Sequence, residues 1–545
     1  MAALPILAAG YWCSLSSDVP EGFANRAALG EVTPRWGFDQ WTSTTDEPMH
    51  LLSRLVHLAA LHVPGATVGS VIWINLVCLL VLVDAIASVA RRSICGDGPF
   101  DAHAAFLLVG LWFASPSWGA TWLHGERVGA LLAAAMFAVA LRALHGHGRL
   151  ALRGAGVVLL AALAPFAHVH GALLGFALAP ALLARVRASD SKRAVAWLGS
   201  LLVVANVTAA ISLRSSPGLS VGEADWFGAL GDAPGATLVA LLRGVGAAWF
   251  DLLPSSTTDE LVLGGGTLLL PLLLSRSHNR SQTTRSQCAP WWSCWAFGLL
   301  IVVLGTVRYD GAPAVGSLRE ATYGSCFVPI GALGVLAVHF GRATMIAAFG
   351  ALLVTTAQDW HRGIETLRLA NMRAQGIAAE IALRDSVRGA SLSKAVRSPA
   401  VWDRLQQRGW VPPLHEVTPD PAAAFDGPSD ARGGIHGGGR HASSDGVKRE
   451  QFTIEGYVRS SLRAAVQWVA VVAQAKAEPP RVVGYARPQF EGAGRDVRWK
   501  VRLSEPLVDG STVRAVGYLV DHRAFVAMGP LFSLSDRRLV ADKDR

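Results

Sequence analysis

The stretch that decides the fold is Val71-Ile-Trp-Ile-Asn-Leu-Val-Cys-Leu-Leu-Val-Leu-Val-Asp-Ala-Ile-Ala-Ser-Val-Ala90, which ends at the basic pair Arg91-Arg92. It belongs to an apolar run over 67–90, and a membrane-crossing helix needs about 20 such residues. The whole chain of 545 residues is 51% hydrophobic and only 16% charged. This composition is typical of an integral membrane protein built on helices.

Similar apolar runs follow along the chain, and most are long enough to cross a bilayer. They cover 103–116, 127–144, 154–169, 171–185, 194–213, 259–275, 291–307, 324–341 and 343–358. The run 236–254 is less apolar, and we interpret it as an interfacial helix, because counting it as a span would invert the charge pattern downstream. Arginines and lysines, among them Arg91-Arg92, Arg153 and Arg185, fall on every second connection. The positive-inside rule puts those connections in the cytoplasm.

The predicted fold is mainly α, a polytopic α-helical bundle of about 10 spans, located in the inner membrane with a small β-rich C-terminal domain on the extracytoplasmic side. Residues 1–66 hold an apolar stump and a first outer loop with an interfacial helix, and 67–358 form the transmembrane bundle. Residues 359–410 are an extracytoplasmic helical segment, and 411–449 are a breaker-rich flexible linker. Residues 450–545 alternate apolar and polar side chains between turn signals, which predicts β-strands.

The charge pattern and the cysteine spacing argue against three features: a nucleic-acid-binding surface, a zinc site and a disulfide framework. The net charge is +9, but the basic residues lie in short segments between apolar runs, so we expect no nucleic-acid partner. The six cysteines have no spacing typical of metal ligands, so neither a zinc site nor a disulfide framework is predicted.

An acidic pair, Asp46-Glu47, lies in the polar segment Trp41-Thr-Ser-Thr-Thr-Asp-Glu-Pro-Met-His-Leu-Leu-Ser-Arg54, just before the first long apolar run. Adjacent carboxylates can cap a helix that begins near Met49. They can also act at the bilayer surface, where a carboxylate serves as general base on an incoming hydroxyl or amine. The residues alone leave both interpretations open.

Cationic side chains occur on the same predicted outer side as the acidic pair. His124 and Arg127 precede one span, Arg243 lies in the interfacial helix, and Arg319 lies in a late outer loop. A single arginine at a span end usually extends to the lipid headgroups. Several that converge with Asp46 would indicate a site for an anionic substrate.

His168-Val169-His170 lies where two spans meet on the outer side, between Pro165 and Gly171. Residues two apart do not share a face of a straight helix, so the two imidazoles could act together only if the chain bends there. The proline and the glycine permit such a bend. Histidines satisfied by neighbouring backbone or headgroups are the more common case than a metal site.

Taken together, these motifs resemble the multispan GT-C glycosyltransferases, in particular the protein O-mannosyltransferase-like proteins and their relatives with tetratricopeptide tails. Asp46-Glu47 is similar to the acidic pair in the first outer loop of that family. The segment from Ala114-Ser-Pro116 to Arg127 looks like its proline-containing segment, which is followed by an arginine that opens a span. Leu318-Arg-Glu-Ala-Thr-Tyr-Gly-Ser-Cys-Phe-Val-Pro329 looks like its late outer-loop motif. The resemblance covers residues 30 to 365.

The resemblance implies transfer of a sugar from a polyprenyl-phosphate donor, a membrane lipid, to a protein or glycan acceptor outside the cytoplasm. It implies that Asp46 is the catalytic base. Glu47 would support Asp46 or contact a divalent metal, and that metal is the one possible cofactor. The lipid phosphate would be bound by cationic and hydroxyl side chains, namely Arg127, Arg319, Tyr323, His124, His168 and His170. The β-rich domain would bind the acceptor.

The chain departs from the family at several points. The family has a Lys-Glu pair where this chain has His168-Val169-His170, the late motif has Arg319 and Glu320 in swapped order, and the tail has no tetratricopeptide period. A catalytically inactive relative and a non-catalytic anchor that displays the β domain therefore remain alternatives. A small-molecule transporter is disfavoured, because the apolar runs carry few charges and transport sites place ionisable groups at mid-span.

Overall fold

In the computed structural model the chain forms two compact units, one helical and one built of β-strands, which are described separately. The structure describes residues 52–53, 55–56, 59, 71–95, 99–113, 128–146, 150–188, 192–214, 234–250, 257–275, 282–308, 326–341, 347, 420–428, 433–442, 450–459, 466–476, 478–486, 496–503, 507–519, 524–535 and 538–541.

The structure gives both ends of eleven α-helices in the helical unit. They are α1 Val71–Ala90, α2 Pro99–Phe113, α3 Val128–His145, α4 Leu150–Ala167, α5 Leu174–Ala177, α6 Ala179–Ala188, α7 Lys192–Arg214, α8 Pro234–Phe250, α9 Thr257–Ser275, α10 Gln282–Arg308 and α11 Phe327–Phe340. A π turn, Arg91–Cys95, continues α1, and a 3₁₀ turn, Val169–Leu173, follows α4. The mainly helical fold with a β-rich C-terminal region is therefore confirmed.

Three helices of the described chain are long and apolar enough to cross a membrane: Trp73–Ile94, Val128–His145 and Thr284–Val303. Five shorter apolar helices accompany them, at His103–Phe113, Leu152–Ala167, His170–Val186, Val195–Val207 and Phe327–Phe340. The apolar run that contains Val71 to Ala90 is a helix, as its length and composition predict.

Helices α1 and α3 run parallel, which gives the bundle two distinct ends. Ile74 near the start of α1 packs on Val128 at the start of α3, and Asp84 forms an ion pair with Arg142 further along. Helix α4 returns in the opposite direction, so that its last residue, Ala167, lies against Gly129. We call the end that holds Arg92, Gly146, Arg153 and Arg185 the basic end.

Four phenylalanine rings from four helices form the centre of the helical unit. Phe137 of α3 stacks on Phe297 of α10, with ring centroids 4.1 Å apart. Phe327 of α11 contacts Phe113 of α2 at 5.0 Å, Phe297 at 5.2 Å and Phe137 at 5.4 Å. All four side chains are buried. This aromatic cluster joins α2, α3, α10 and α11.

Helices α8 and α9 pack with their backbones in contact. A Cβ on Gly246 would overlap the carbonyl of Glu260, and a Cβ on Gly264 would overlap the carbonyl of Leu242. Arg243 of α8 donates from Nε to Oε2 of the buried Glu260 at 2.9 Å. Arg243, considered above as a substrate-binding cation, is therefore part of an ion pair inside the bundle.

The β unit contains eight strands in the described chain: β1 Gly433–Ala442, β2 Glu450–Arg459, β3 Val466–Gln474, β4 Arg481–Ala486, β5 Asp496–Arg502, β6 Thr512–Leu519, β7 Ala524–Ser535 and β8 Arg538–Ala541. They form two antiparallel sheets, with strand orders β1-β2-β5 and β4-β3-β6-β7-β8. The side chains between the two sheets make one core, which includes Ile454, Trp499, Val471 and Met528.

Strand β1 corrects the predicted boundary of this unit. It lies within 411–449, the segment whose glycines predict a flexible linker, and it pairs with β2 along its length. The glycines serve close packing: a Cβ on Gly433 would come within 2.5 Å of the Tyr457 carbonyl, and one on Gly438 within 2.7 Å of Leu539. A strand that contributes mainly backbone carries little of the side-chain alternation by which strands are recognised in a sequence.

Both faces of β3, the second strand of the five-stranded sheet, are covered. Val469 and Val471 point into the core between the sheets, whereas Trp468 and Ala470 pack on the other face against Phe425. The covering segment 420–428 is held by Arg514, which donates from Nη1 to the carbonyls of Phe425 at 2.6 Å and Gly427 at 2.9 Å. Burial lowers the pKa of the Arg514 guanidinium, and nearby Asp426 opposes that effect.

We predict that Phe327→Ala lowers the free energy of unfolding by about 3 kcal/mol or more, because it removes the ring that contacts the three others and leaves a cavity. Phe340→Ala is the matched control, since Phe340 lies on the same helix with 60% of its surface exposed. The measurement is reversible unfolding of the full chain in detergent. Equal losses for the two variants would contradict the central role of the aromatic cluster.

Candidate functional site

Two of the predicted site residues, His168 and His170, lie in the described part of the chain. The remaining six lie outside the described residues, and their roles stay predictions: Asp46, Glu47, His124, Arg127, Arg319 and Tyr323. The site is therefore built from two sets of described residues. The first is the turn that carries His168 and His170, which we call the histidine turn. The second is the residues that lie next to the other predicted site residues in the sequence.

The chain bends at His168, as Pro165 and Gly171 predict. Helix α4 ends at Ala167, His168 is extended with φ −163° and ψ 154°, and the 3₁₀ turn then begins at Val169. The His170 amide donates to Nδ1 of His168 at 3.3 Å. The Gly171 amide donates to the His168 carbonyl at 2.8 Å. These two hydrogen bonds make the histidine turn a defined local structure.

The bend brings the two imidazole rings together. Their centroids are 4.2 Å apart with the rings at 71°, edge to face. His170 is buried and His168 is half-buried. Because Nδ1 of His168 accepts a hydrogen bond, the neutral ring carries its proton on Nε2. An Nε2–H group can donate to an anionic oxygen. Within the described residues, no third His, Cys, Asp or Glu completes a metal-binding group.

Gly171 is required by the tightness of this turn. A Cβ at that position would overlap the backbone of Ala164 and would lie 2.7 Å from the nitrogen of Pro165. Any larger residue must push the 3₁₀ turn away from the end of α4. The position of His170 therefore depends on its glycine neighbour.

Ser53 connects the histidine turn to two other predicted segments. Its hydroxyl donates to the Ala167 carbonyl at 2.7 Å, and the serine is buried. A Cβ on Gly129 would overlap both Ser53 Oγ and the Ala167 carbonyl, so the three residues pack directly on one another. Ser53 lies six positions after Glu47, Gly129 two positions after Arg127, and Ala167 one position before His168.

The sequence does not indicate this role for Ser53. Apolar residues at helical spacing, namely Leu51, Leu52, Leu55, Leu58 and Ala59, form a stripe that predicts an interfacial helix. Residues 52, 53, 55, 56 and 59 are helical. Leu55 and Ala59 of that stripe are exposed, whereas Ser53 and Val56 face α3. A serine on the polar side of an amphipathic pattern carries no signal that it is buried.

A second contact joins a described residue before one of the remaining predicted segments to a described residue after another. Trp112 at the end of α2 donates from Nε1 to the Cys326 carbonyl at 3.1 Å, next to the Phe113–Phe327 contact. The connection that contains His124 and Arg127 begins after Phe113, and the one that contains Arg319 and Tyr323 ends before Cys326. Both contacts adjoin α3, at Gly129 and Phe137, about 12 Å apart along its axis.

Comparisons with protein-family models, with curated proteins and with solved structures find no match for this chain.

We predict that Gly171→Ala destabilises the helical unit by about 1–3 kcal/mol, the cost of overpacking a tight contact. Gly156→Ala is the control, because that glycine lies on α4 with nothing within 4 Å of a Cβ. Alanine there should stabilise the helix by about 0.5–1 kcal/mol. Thermal unfolding in detergent measures both variants. A Gly171→Ala protein as stable as the Gly156→Ala protein would contradict the close packing at the histidine turn.

Proposed function

We propose that this chain is a multi-pass inner-membrane protein of the glycosyltransferase type. It transfers a sugar from a polyprenyl-phosphate donor to a protein or glycan acceptor outside the cytoplasm. The three helices able to cross a membrane support the membrane part of this proposal. The catalytic part rests on the arrangement of the described residues that adjoin the predicted site.

One observation carries the proposal: described residues that neighbour the predicted site residues in the sequence contact one another at two places along α3, about 12 Å apart. Ser53, Gly129 and Ala167 pack together, and each lies within six positions of a predicted residue. Trp112 and Cys326 flank the two remaining segments and contact each other.

The chemistry follows from the residue types. The acceptor hydroxyl attacks the anomeric carbon of the sugar while Asp46 takes its proton. The bond between the anomeric carbon and the phosphate oxygen breaks, and the polyprenyl phosphate leaves with the electron pair. Arg127, Arg319 and Tyr323 stabilise the charge that develops on that phosphate. His168 adds a hydrogen-bond donor through Nε2, with His124 and His170 as further contacts.

The topology in this proposal follows from the basic end of the bundle. Arg92, Arg153 and Arg185 lie together at the end of α3 opposite Gly129. Assigning that end to the cytoplasm satisfies the positive-inside rule and puts the predicted site outside. In the same topology the β unit is extracytoplasmic and binds the acceptor. A divalent metal at Glu47 remains part of the prediction, because that residue lies outside the described chain.

We predict that Asp46→Asn abolishes glycan transfer in membranes and leaves the amount of folded protein unchanged, because the amide cannot take the proton. Asp84→Asn is the matched control. It makes the same carboxylate-to-amide change in an ion pair between α1 and α3, with Arg142, that is not part of the predicted site. Transfer should continue in that variant. Undiminished transfer by Asp46→Asn would rule out the base assignment.

A non-catalytic anchor is the second candidate, and the separate core of the β unit favours it. A transferase should retain its polyprenyl-phosphate donor during purification, whereas an anchor should not. Mass spectrometry of lipid that co-purifies with the full chain should detect a polyprenyl phosphate if the chain is a transferase. Its absence, together with absence of transfer, would support the anchor.

A further inference from the structure

Three arginines from three elements meet at the basic end of the helical unit. Arg92 lies in the π turn after α1, Arg153 in the first turns of α4 and Arg185 near the end of α6. Both Arg92 and Arg153 are close enough to Arg185 to repel it electrostatically. We call these three residues the arginine cluster.

Arg185 is fixed within the arginine cluster by the end of α3. Its Nε donates to the Leu144 carbonyl at 2.6 Å, and its Nη2 donates to the Gly146 carbonyl at 2.7 Å. These acceptors lie at the negative end of the α3 dipole, which is equivalent to about half an elementary charge. That partial negative charge is far smaller than the positive charge of three guanidinium groups, so the arginine cluster keeps a net positive charge.

Gly146 lies between the other two arginines. A Cβ there would overlap Nη1 of Arg153 and would lie 3.0 Å from Nη1 of Arg92. Nη1 of Arg153 is shielded from solvent and has no hydrogen-bond partner within the part of the chain that the structure describes. A buried, charged N–H group without an acceptor is unfavourable, so an acceptor is expected at this position.

The turn that carries Arg92 is held in place by its neighbour. The Ser93 hydroxyl donates to the Val89 carbonyl at 2.8 Å and accepts from Trp291 Nε1 at 2.9 Å. Ser93 and Trp291 are both buried. The arginine cluster therefore has a preorganised backbone, which is a property of binding sites rather than of freely moving surface side chains.

We propose that the arginine cluster binds the phosphate group of an anionic phospholipid at the cytoplasmic face. Guanidinium groups present paired N–H donors that match phosphate oxygens. Basic pockets between membrane helices on the cytoplasmic side are places where anionic headgroups bind. One phosphate that accepts from Arg92 and Arg153 would supply the missing acceptor and reduce the repulsion on Arg185. This site is separate from the proposed transfer site; it rests on the membrane topology of the proposed function but not on transfer activity.

The test uses the delipidated full chain in a neutral detergent, with phosphatidylglycerol, phosphatidylcholine or inorganic phosphate added in separate titrations. A ligand that binds the folded state raises the thermal midpoint, and the dependence of the midpoint on ligand concentration gives the dissociation constant. We expect phosphatidylglycerol to raise the midpoint and phosphatidylcholine to leave it unchanged. A response to inorganic phosphate at comparable concentration would support the same phosphate site with a soluble source.

Arg153→Gln and Arg92→Gln should each raise the dissociation constant for phosphatidylglycerol about fivefold, the factor that one basic residue contributes at a membrane surface. Arg92 is exposed, so its replacement is compatible with folding. Arg142→Gln is the matched control: it removes one positive charge from α3 but belongs to the Asp84 ion pair. Equal weakening by Arg142→Gln, or equal responses to the two lipids, would overturn the proposal.

Discussion

The arrangement of the helical unit depends on the contact of Phe327 with three other phenylalanine rings. Apolar side chains gain little by leaving lipid for a protein interior, so helices in a membrane associate mainly through close packing. Aromatic pairs add directional contacts of about 0.5–1.5 kcal/mol each. The aromatic cluster joins α2, α3, α10 and α11, and it lies directly beside the Trp112–Cys326 hydrogen bond. The positions of the described residues from which the connection after α2 starts and at which the connection before α11 ends are therefore determined by this packing.

Helix α3 links the two functional regions that we propose. It runs from Val128 to His145, 18 residues, or about 27 Å, which approaches the hydrocarbon thickness of a bilayer. Gly129 lies at one end beside Ser53 and Ala167, and Gly146 lies just beyond the other end beside the arginine cluster. A polyprenyl phosphate and an anionic phospholipid would thus contact opposite ends of the same helix.

Features determined by local sequence were predictable, and those determined by tertiary contacts were not. The length and composition of the run from Val71 to Ala90 predict its helix, and Pro165 with Gly171 predict the bend at His168. The role of Ser53 depends on a carbonyl 114 positions away, and no local pattern reports such a partner. Strand β1 was wrongly predicted as linker for a related reason: its contribution is backbone pairing and close approach rather than an alternating side-chain pattern. The acidic pair and its cationic partners remain predictions.

The backbone contact between α8 and α9 has a consequence for recognising relatives of this chain. Gly246 and Gly264 each face a carbonyl at a distance that excludes any side chain. Substitution at either position would separate the two helices and stretch the Arg243–Glu260 pair between them. Homologous chains should therefore keep glycine at both positions even where the surrounding apolar residues have been exchanged freely. Two glycines 18 positions apart, with an arginine three before the first and a glutamate four before the second, form a sparse signature that can survive evolutionary divergence.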